Sequence, residues 1–186
     1  MTQQQFKEFV HQLALANQDF DFLNSDEDKM KIVYMEMLNN SQHEFRIFAG
    51  TLACNTTNSP DFVETMSDYI ERGGSLYILL NDYKEDIIFQ SQLFKRLAFY
   101  KLKGRDIVVR KSADHPFIKT PDGKKKVHFA IGDKNSYRIE TDIENRTAIC
   151  NMNNVLKAGE FASFFDELFQ KAEGDEINLL TLFKLQ

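Results

Sequence analysis

The sequence predicts a mixed α/β fold: one β-sheet with parallel and antiparallel strands, flanked by helices and preceded by a helical extension. Three observations carry this expectation. Between residues 45 and 110, short apolar runs alternate with segments of helical periodicity, which demands parallel strands joined by helices on the sheet faces. Between residues 127 and 152, three β-like runs follow one another at hairpin spacing and add antiparallel strands. An amphipathic segment at 155–172 closes the pattern with a further helix.

Each element has its own signal. Phe6, Phe9, Val10, Leu13 and Ala14 recur at helical spacing over 3–17, and Asn17–Asp21 reads as a turn. Ser25, followed by Asp26, Glu27 and Asp28, starts a second helix that runs to about Asn40 and buries Ile32, Val33, Met35 and Leu38. FRIFAG (45–50) is a short strand entering a loop of small residues. Ser59-Pro60 opens the next helix, which ends at ERGG, where a glycine takes the left-handed cap. SLYILL (75–80) is apolar almost throughout, as a strand covered on both faces should be. One long helix is expected over 86–103, then a strand at 106–110, then a loop through KSADHPFIKTPDGKKK with a tight turn at Asp122-Gly123. The hairpin strands are VHFAIGD (127–133), SYRIETD (136–142) and RTAICNM (146–152), the first turn falling at Asp133–Asn135. The last helix is expected to bury Leu156, Phe161, Phe164, Phe165, Leu168 and Phe169. The tail INLLTLFKLQ is too apolar for a disordered end, and is expected to pack on the domain or across a subunit interface.

With 186 residues the chain suits one compact unit, a helical extension over 1–41 and an α/β domain over 42–186. Two cysteines, Cys54 and Cys150, exclude a disulfide framework and suit a reducing compartment, with buried inert thiols as the expectation. No apolar run approaches the ~20 residues of a membrane span, and the N-terminus has no basic region leading into an apolar stretch. A cytoplasmic protein without membrane association is therefore expected. Net charge is −5, yet residues 95–128 hold eleven Lys or Arg against three Asp, a local +8. Such a segment reads either as a solvated surface or as a site for phosphate, nucleotide or nucleic acid. Phe94, Phe99 and Tyr100 interleave with Lys95, Arg96, Lys101 and Lys103, as a stacking platform would, although helical spacing favours core and solvated faces.

The run RGGSLYILLND, the helix after it, GRDIVVR, then VHFAIGDKNSYRIETDIENRTAICNMNN and EFASFFDELFQKA stand in a telling order. Over about residues 42–172 the chain resembles a single repeat of the phospholipase D-like superfamily. That resemblance implies an α/β half-fold and a site built from two copies of a His-x-Lys-x4-Asp motif, with Gly-Ser and Asn on the following strands. One histidine attacks phosphorus and the other protonates the leaving oxygen, while lysines neutralise the developing charge. His128 holds the histidine position, but Ala130 stands where the lysine belongs, and the next acid, Asp133, comes two residues early. Glu140-Thr141 occupies the place of Gly-Ser, where a carboxylate repels phosphate, and Asn151 or Asn153 remains as a candidate asparagine. Lys124, Lys125 and Lys126 precede His128 at the strand start and cannot reach inward as that lysine would.

His128 reads equally as a residual site residue and as a half-buried histidine with a hydrogen-bond partner. His115 reads as a loop residue, and His43, Glu44 and Arg46 as solvated. Glu140, Asp142 and Glu144 read as an exposed acidic face of a hairpin rather than a carboxylate pair. No Cys/His spacing fits a metal and no glycine-rich loop fits a nucleotide, so no metal or cofactor is expected. The function expected is a catalytically inactive binding or regulatory module for a phosphate-bearing ligand, nucleic acid or protein, with His128, Lys126, Glu140, Asn151 and Asn153 as candidate ligand contacts. Two alternatives stand beside it. One is a homodimeric phosphodiesterase or nuclease using His128, the other a protein-interaction subunit of a bacterial or phage system. Because the fold joins two copies and one is present, a homodimer is expected.

Overall fold

The computed structural model describes residues 1–120 and 123–185. The chain runs α1 (Gln3–Leu15), β1 (Phe22–Asn24), α2 (Glu27–Asn40), β2 (Glu44–Ala49), α3 (Pro60–Glu71), β3 (Ser75–Leu80), α4 (Glu85–Gln90), α5 (Gln92–Leu102), β4 (Ile107–Lys111), β5 (Phe117–Thr120), β6 (Gly123–Lys126), β7 (His128–Gly132), β8 (Ser136–Asp142), β9 (Thr147–Asn151), α6 (Val155–Lys171) and α7 (Leu179–Leu182). Seven strands form one mixed sheet in the order β1-β9-β8-β7-β2-β3-β4. The pairs β2–β3 and β3–β4 are parallel, because α3 and then α4–α5 carry the chain back over the sheet. The other pairs in this sheet are antiparallel, as their short connections require.

The sheet divides the interior into two cores. On one face α2, α3 and α5 cover Phe45, Ile47, Ile78 and Ala130; on the other, α6 covers Phe48, Phe129, Ile131 and Ile139. Strand alternation sorts the residues: in β7, His128 and Ala130 point to the α2 side, whereas Phe129 and Ile131 point to α6. Local chemistry sets the helix ends. Thr2 and Gln5 form a capping box on α1, Asp26 caps α2 by accepting from the Lys29 amide, and Pro60 opens α3. Gly73, with φ of 98°, makes the left-handed turn that lets β3 begin two residues later.

The structure corrects several expectations. The helix expected over 86–103 is two, α4 and α5, broken at an extended Ser91 whose hydroxyl donates to Asn58 Oδ1 (2.6 Å) and accepts from the Phe94 amide (3.3 Å). A serine able to satisfy backbone and side-chain partners at once competes with continuous helix. The stretch expected as a loop over 111–126 contains the β5–β6 hairpin, with Phe117 opposite Lys126 and Lys119 opposite Lys124. The tight turn expected at Asp122-Gly123 involves Asp122, outside the described residues. The first forty residues are not only helical: β1 adds an edge strand to β9. Arg46, expected in solvent, is buried under α6, its Nε donating to Asp166 Oδ1 (2.8 Å) and its Nη2 pairing with Glu44. In α6 the burial falls on Ala158, Ala162, Phe165 and Leu168, whereas Leu156 is 75% and Phe164 40% exposed. The apolar tail packs within the chain. The Ile177 amide donates to Val109 O (2.8 Å), Ile177 and Leu179 are buried, and Phe183 stacks on Phe89 with centroids 5.7 Å apart. Among the described residues no helix is long and apolar enough to cross a membrane.

Candidate functional site

The parallel strands β2 and β3 end side by side, at Ala49-Gly50 and at Leu80-Asn81-Asp82, and β7 starts beside them because it runs antiparallel to β2. A cavity of about 240 Å³ opens there, lined by Gly50, Thr51, Leu52, Asp82, His128, Arg138, Glu140 and Arg146 among others. The crevice beyond the C-terminal ends of parallel strands is the usual place for a ligand in an open α/β sheet. Its wall includes a strained residue. Leu52 holds a left-handed φ of 51°, and its carbonyl accepts from the Thr57 hydroxyl (2.9 Å).

The floor is a charged cluster set by strand register. The three-residue turn Asp133–Asn135, with positive φ at Asp133 and Lys134, pairs His128 with Glu140 and Ala130 with Arg138. Directly opposed residues share a face, so all four side chains point to the α2 side. His128 Nδ1 lies 3.2 Å from Glu140 Oε2, Arg138 Nη2 lies 3.1 Å from Glu140 Oε1, and Arg146 Nη1 stands 3.8 Å from Glu140 Oε2. Burial alone would raise the Glu140 carboxyl, but the hydrogen bond from His128 and the charges of Arg138 and Arg146 outweigh it and hold it below its ordinary range. Glu140 is therefore an acceptor only, which makes Nδ1 of His128 the donor and leaves Nε2 facing the cavity over Gly50. Arg138 is enclosed completely: Nε donates to Asn24 Oδ1 (3.0 Å), Nη2 donates also to Arg146 O (3.2 Å), and the guanidinium stands 5.5 Å from the Tyr34 ring centroid. Glu140 is thus a buried ion-pair partner, not part of an exposed acidic face; Asp142 and Glu144 alone lie toward solvent.

Of the residues singled out in the sequence, the cavity gathers His128 and Glu140. Lys126 lies on the exposed β6. Asn151 is buried and donates to Asp19 and Asp21 (both 2.8 Å), and Asn153 donates to Asn17 O (2.6 Å), so these asparagines bind the 17–21 turn to the sheet. Tyr137 and Lys157 add bonds to Asp21, whose carboxyl drops to about 2 because these bonds outweigh a burial effect that would raise it. Asp133 accepts from the amides of Gln42, His43 and Glu44 (2.6, 2.8 and 2.9 Å) and caps the start of β2, away from the cavity. Cys54 is half-buried at the cavity wall, and burial pushes the Cys150 thiol up to about 12. Sequence reading missed Arg138 and Arg146. The signal for Arg138 was present, since a three-residue turn at Asp133–Asn135 already places it opposite Ala130. Among the described residues no group of three His, Cys, Asp or Glu stands together as a metal site.

No protein-family model matches the chain, and no curated protein matches it. Solved structures do. TrmBL2, an archaeal chromatin protein described as showing a novel mode of DNA binding, superposes with a TM-score of 0.62 at 16% identity, covering 94% of this chain and 63% of that one. This chain therefore spans less than two thirds of the length of that chromatin protein. Nuc from Salmonella typhimurium, a phospholipase D family member, superposes with a TM-score of 0.54 at 10% identity over 83% of this chain and 97% of that one. NucT from Helicobacter pylori gives 0.51 at 8% identity over 82% and 97%. The fold is phospholipase D-like, a mixed sheet flanked by helices behind an N-terminal helix.

Proposed function

We propose that the chain is a non-hydrolytic phospholipase D-like binding module whose cavity takes a phosphate-bearing ligand. One observation carries the reading: Ala130 is buried and faces Arg138, whose guanidinium donates through Nε and Nη2 to Asn24, Glu140 and a carbonyl. The cation nearest the motif's lysine position is consequently neutralised within the protein rather than held for a developing phosphoryl charge. What remains for a ligand is the free Nε2 of His128, the partly exposed Arg146 and the Thr51 hydroxyl, enough to hold an anion without turning it over. Among phosphate-bearing ligands a nucleic acid is the choice with which the DNA-binding description of TrmBL2 agrees.

Calorimetric titration with inorganic phosphate, a nucleoside monophosphate and a short single-stranded oligonucleotide tests this. Binding should appear at low salt, weaken steeply as salt rises, and fall roughly tenfold in Arg146→Ala, the loss of one charge-assisted contact. No hydrolysis of bis-p-nitrophenyl phosphate or DNA should exceed background. Failure of all three probes to bind at low salt would refute the reading.

A second reading, a phosphodiesterase using His128 from two subunits, draws on the same geometry. A carboxylate at Nδ1 and a free Nε2 facing a cavity orient an imidazole for nucleophilic or acid–base work. Turnover that disappears in His128→Ala would establish it.

A further inference from the structure

The face of the sheet opposite His128 carries a different kind of site. Leu156, Glu160 and Phe164 recur every four residues and share one stripe of α6. The helix buries its other side on the sheet, so Leu156 stays 75% and Phe164 40% exposed, and Phe117 on β5, 47% exposed, lines one groove with Phe164. Between helix and hairpin runs a groove of about 260 Å³, walled by Phe117, Ile118, Phe161 and Phe164 over a floor of Val127 and Phe129. Large apolar side chains left open together, rather than singly, mark a contact surface.

The rims of the groove carry opposite charge. Lys119, Lys124 and Lys126 are exposed on the hairpin side; Glu160 lines the helix side, with Glu167 exposed two turns further along α6. Among the described residues no ion pair uses any of these five; Lys124 lies over the Phe117 ring, 4.3 Å from its centroid.

We propose that this groove is a two-fold self-association surface, filled by Leu156 and Phe164 of a second copy of the chain. An isologous interface needs a patch complementary to itself. This one has an apolar centre, a basic rim and an acidic rim, so a two-fold rotation lays each hairpin against the partner's α6. A nucleic acid would engage the lysines alone, leave the apolar stripe wet and meet Glu160 unfavourably. An acidic peptide would meet the same glutamate. Val127 and Phe129 alternate with His128 along the chain, so the groove lies on the opposite face from the cavity. Association through it leaves each cavity open and does not join two His128 side chains, which separates it from a dimer that shares the cavity.

Sedimentation analysis of the full chain across concentrations up to tens of micromolar reads the association directly. A concentration-dependent dimer is expected, weakened about tenfold or more by Leu156→Asp or Phe164→Ser, as for an apolar anchor at an interface centre. Circular dichroism, and unfolding midpoints measured below the association range, confirm that these surface variants fold. Two charge variants give an independent arm. Lys119→Glu/Lys124→Glu/Lys126→Glu makes both rims acidic, and Glu160→Lys/Glu167→Lys makes both basic, so each alone should be monomeric. Mixed, they should form a heterodimer, because each basic rim then meets an acidic one at both contacts. A monomer at every concentration, a dimer indifferent to Leu156→Asp and Phe164→Ser, or no recovery on mixing overturns the proposal. Oligonucleotide binding to a monomer, lost in the lysine variant, overturns it in favour of a nucleic-acid surface.

Discussion

The same strands β7 and β8 build two unlike surfaces. On the α2 face, His128, Arg138 and Glu140 form a nearly closed charged cluster, each member tied to another. On the α6 face, Phe129, Tyr137 and Ile139 pack in an apolar layer that runs out into an open groove. Adjacent residues differ by which side of the pleat they leave, and nothing else in their chain positions separates them. The lesson concerns tolerance. Charged groups deprived of water depend on every partner being present, whereas an apolar layer loses in proportion to the volume removed.

Substitution on each face puts that contrast to the test. Arg138→Ala should have the largest effect, about 3–5 kcal/mol in urea unfolding, because it leaves Glu140 buried without its closest guanidinium. Arg138→Leu/Glu140→Leu should recover much of that loss; a double variant as unstable as the single one would show that the cluster's surroundings, not its charge balance, set the cost. On the other face, Phe165→Ala should cost about 3–5 kcal/mol through cavity formation alone, with no comparable rescue.

Ala130→Lys should destabilise by about 1–3 kcal/mol from overpacking, with a further penalty from a second cation facing Arg138, and should confer no phosphodiesterase activity. A stable, active variant would mean that Arg138 had swung aside to admit the lysine.

Acid sharpens the comparison further. The Glu140 carboxyl is depressed in the folded chain, so its contribution is present above the ordinary carboxylate range and is lost as pH falls through the lower folded value. Asp21, depressed to about 2, loses its contribution between about 4 and about 2 by the same sign. Glu140→Gln should flatten the fall in urea midpoint between neutral and acidic pH, and Phe165→Ala should leave its slope unchanged. The smallest effect belongs to Leu156→Ser, within about 0.5 kcal/mol of the parent, since that side chain is already 75% exposed.

The sequence by itself determined the architecture. Apolar runs at 45–50, 75–80 and 106–110, separated by amphipathic helices, could only be covered parallel strands, and the hairpin spacing after 127 could only be antiparallel ones. It also determined that Ala130 stands where the motif's lysine belongs, because that is a statement about spacing alone. Other features needed tertiary structure. A three-residue edge strand such as β1 has too little pattern to show before β9 is there to receive it. The lysine-rich β6 reads as loop until β5 pairs with it. In α6, six apolar positions competed for one sheet face, and only packing chose Phe165 and Leu168 over Leu156 and Phe164. Arg46 and Glu140 read as solvent-facing charges and Arg138 drew no notice, since periodicity tells which residues share a face but not what covers it. Their burial became affordable only where distant partners converged: Asp166 for Arg46, and Asn24 and the Arg146 carbonyl for Arg138. Charge in a protein interior is a property of such long-range pairing, which local pattern does not encode.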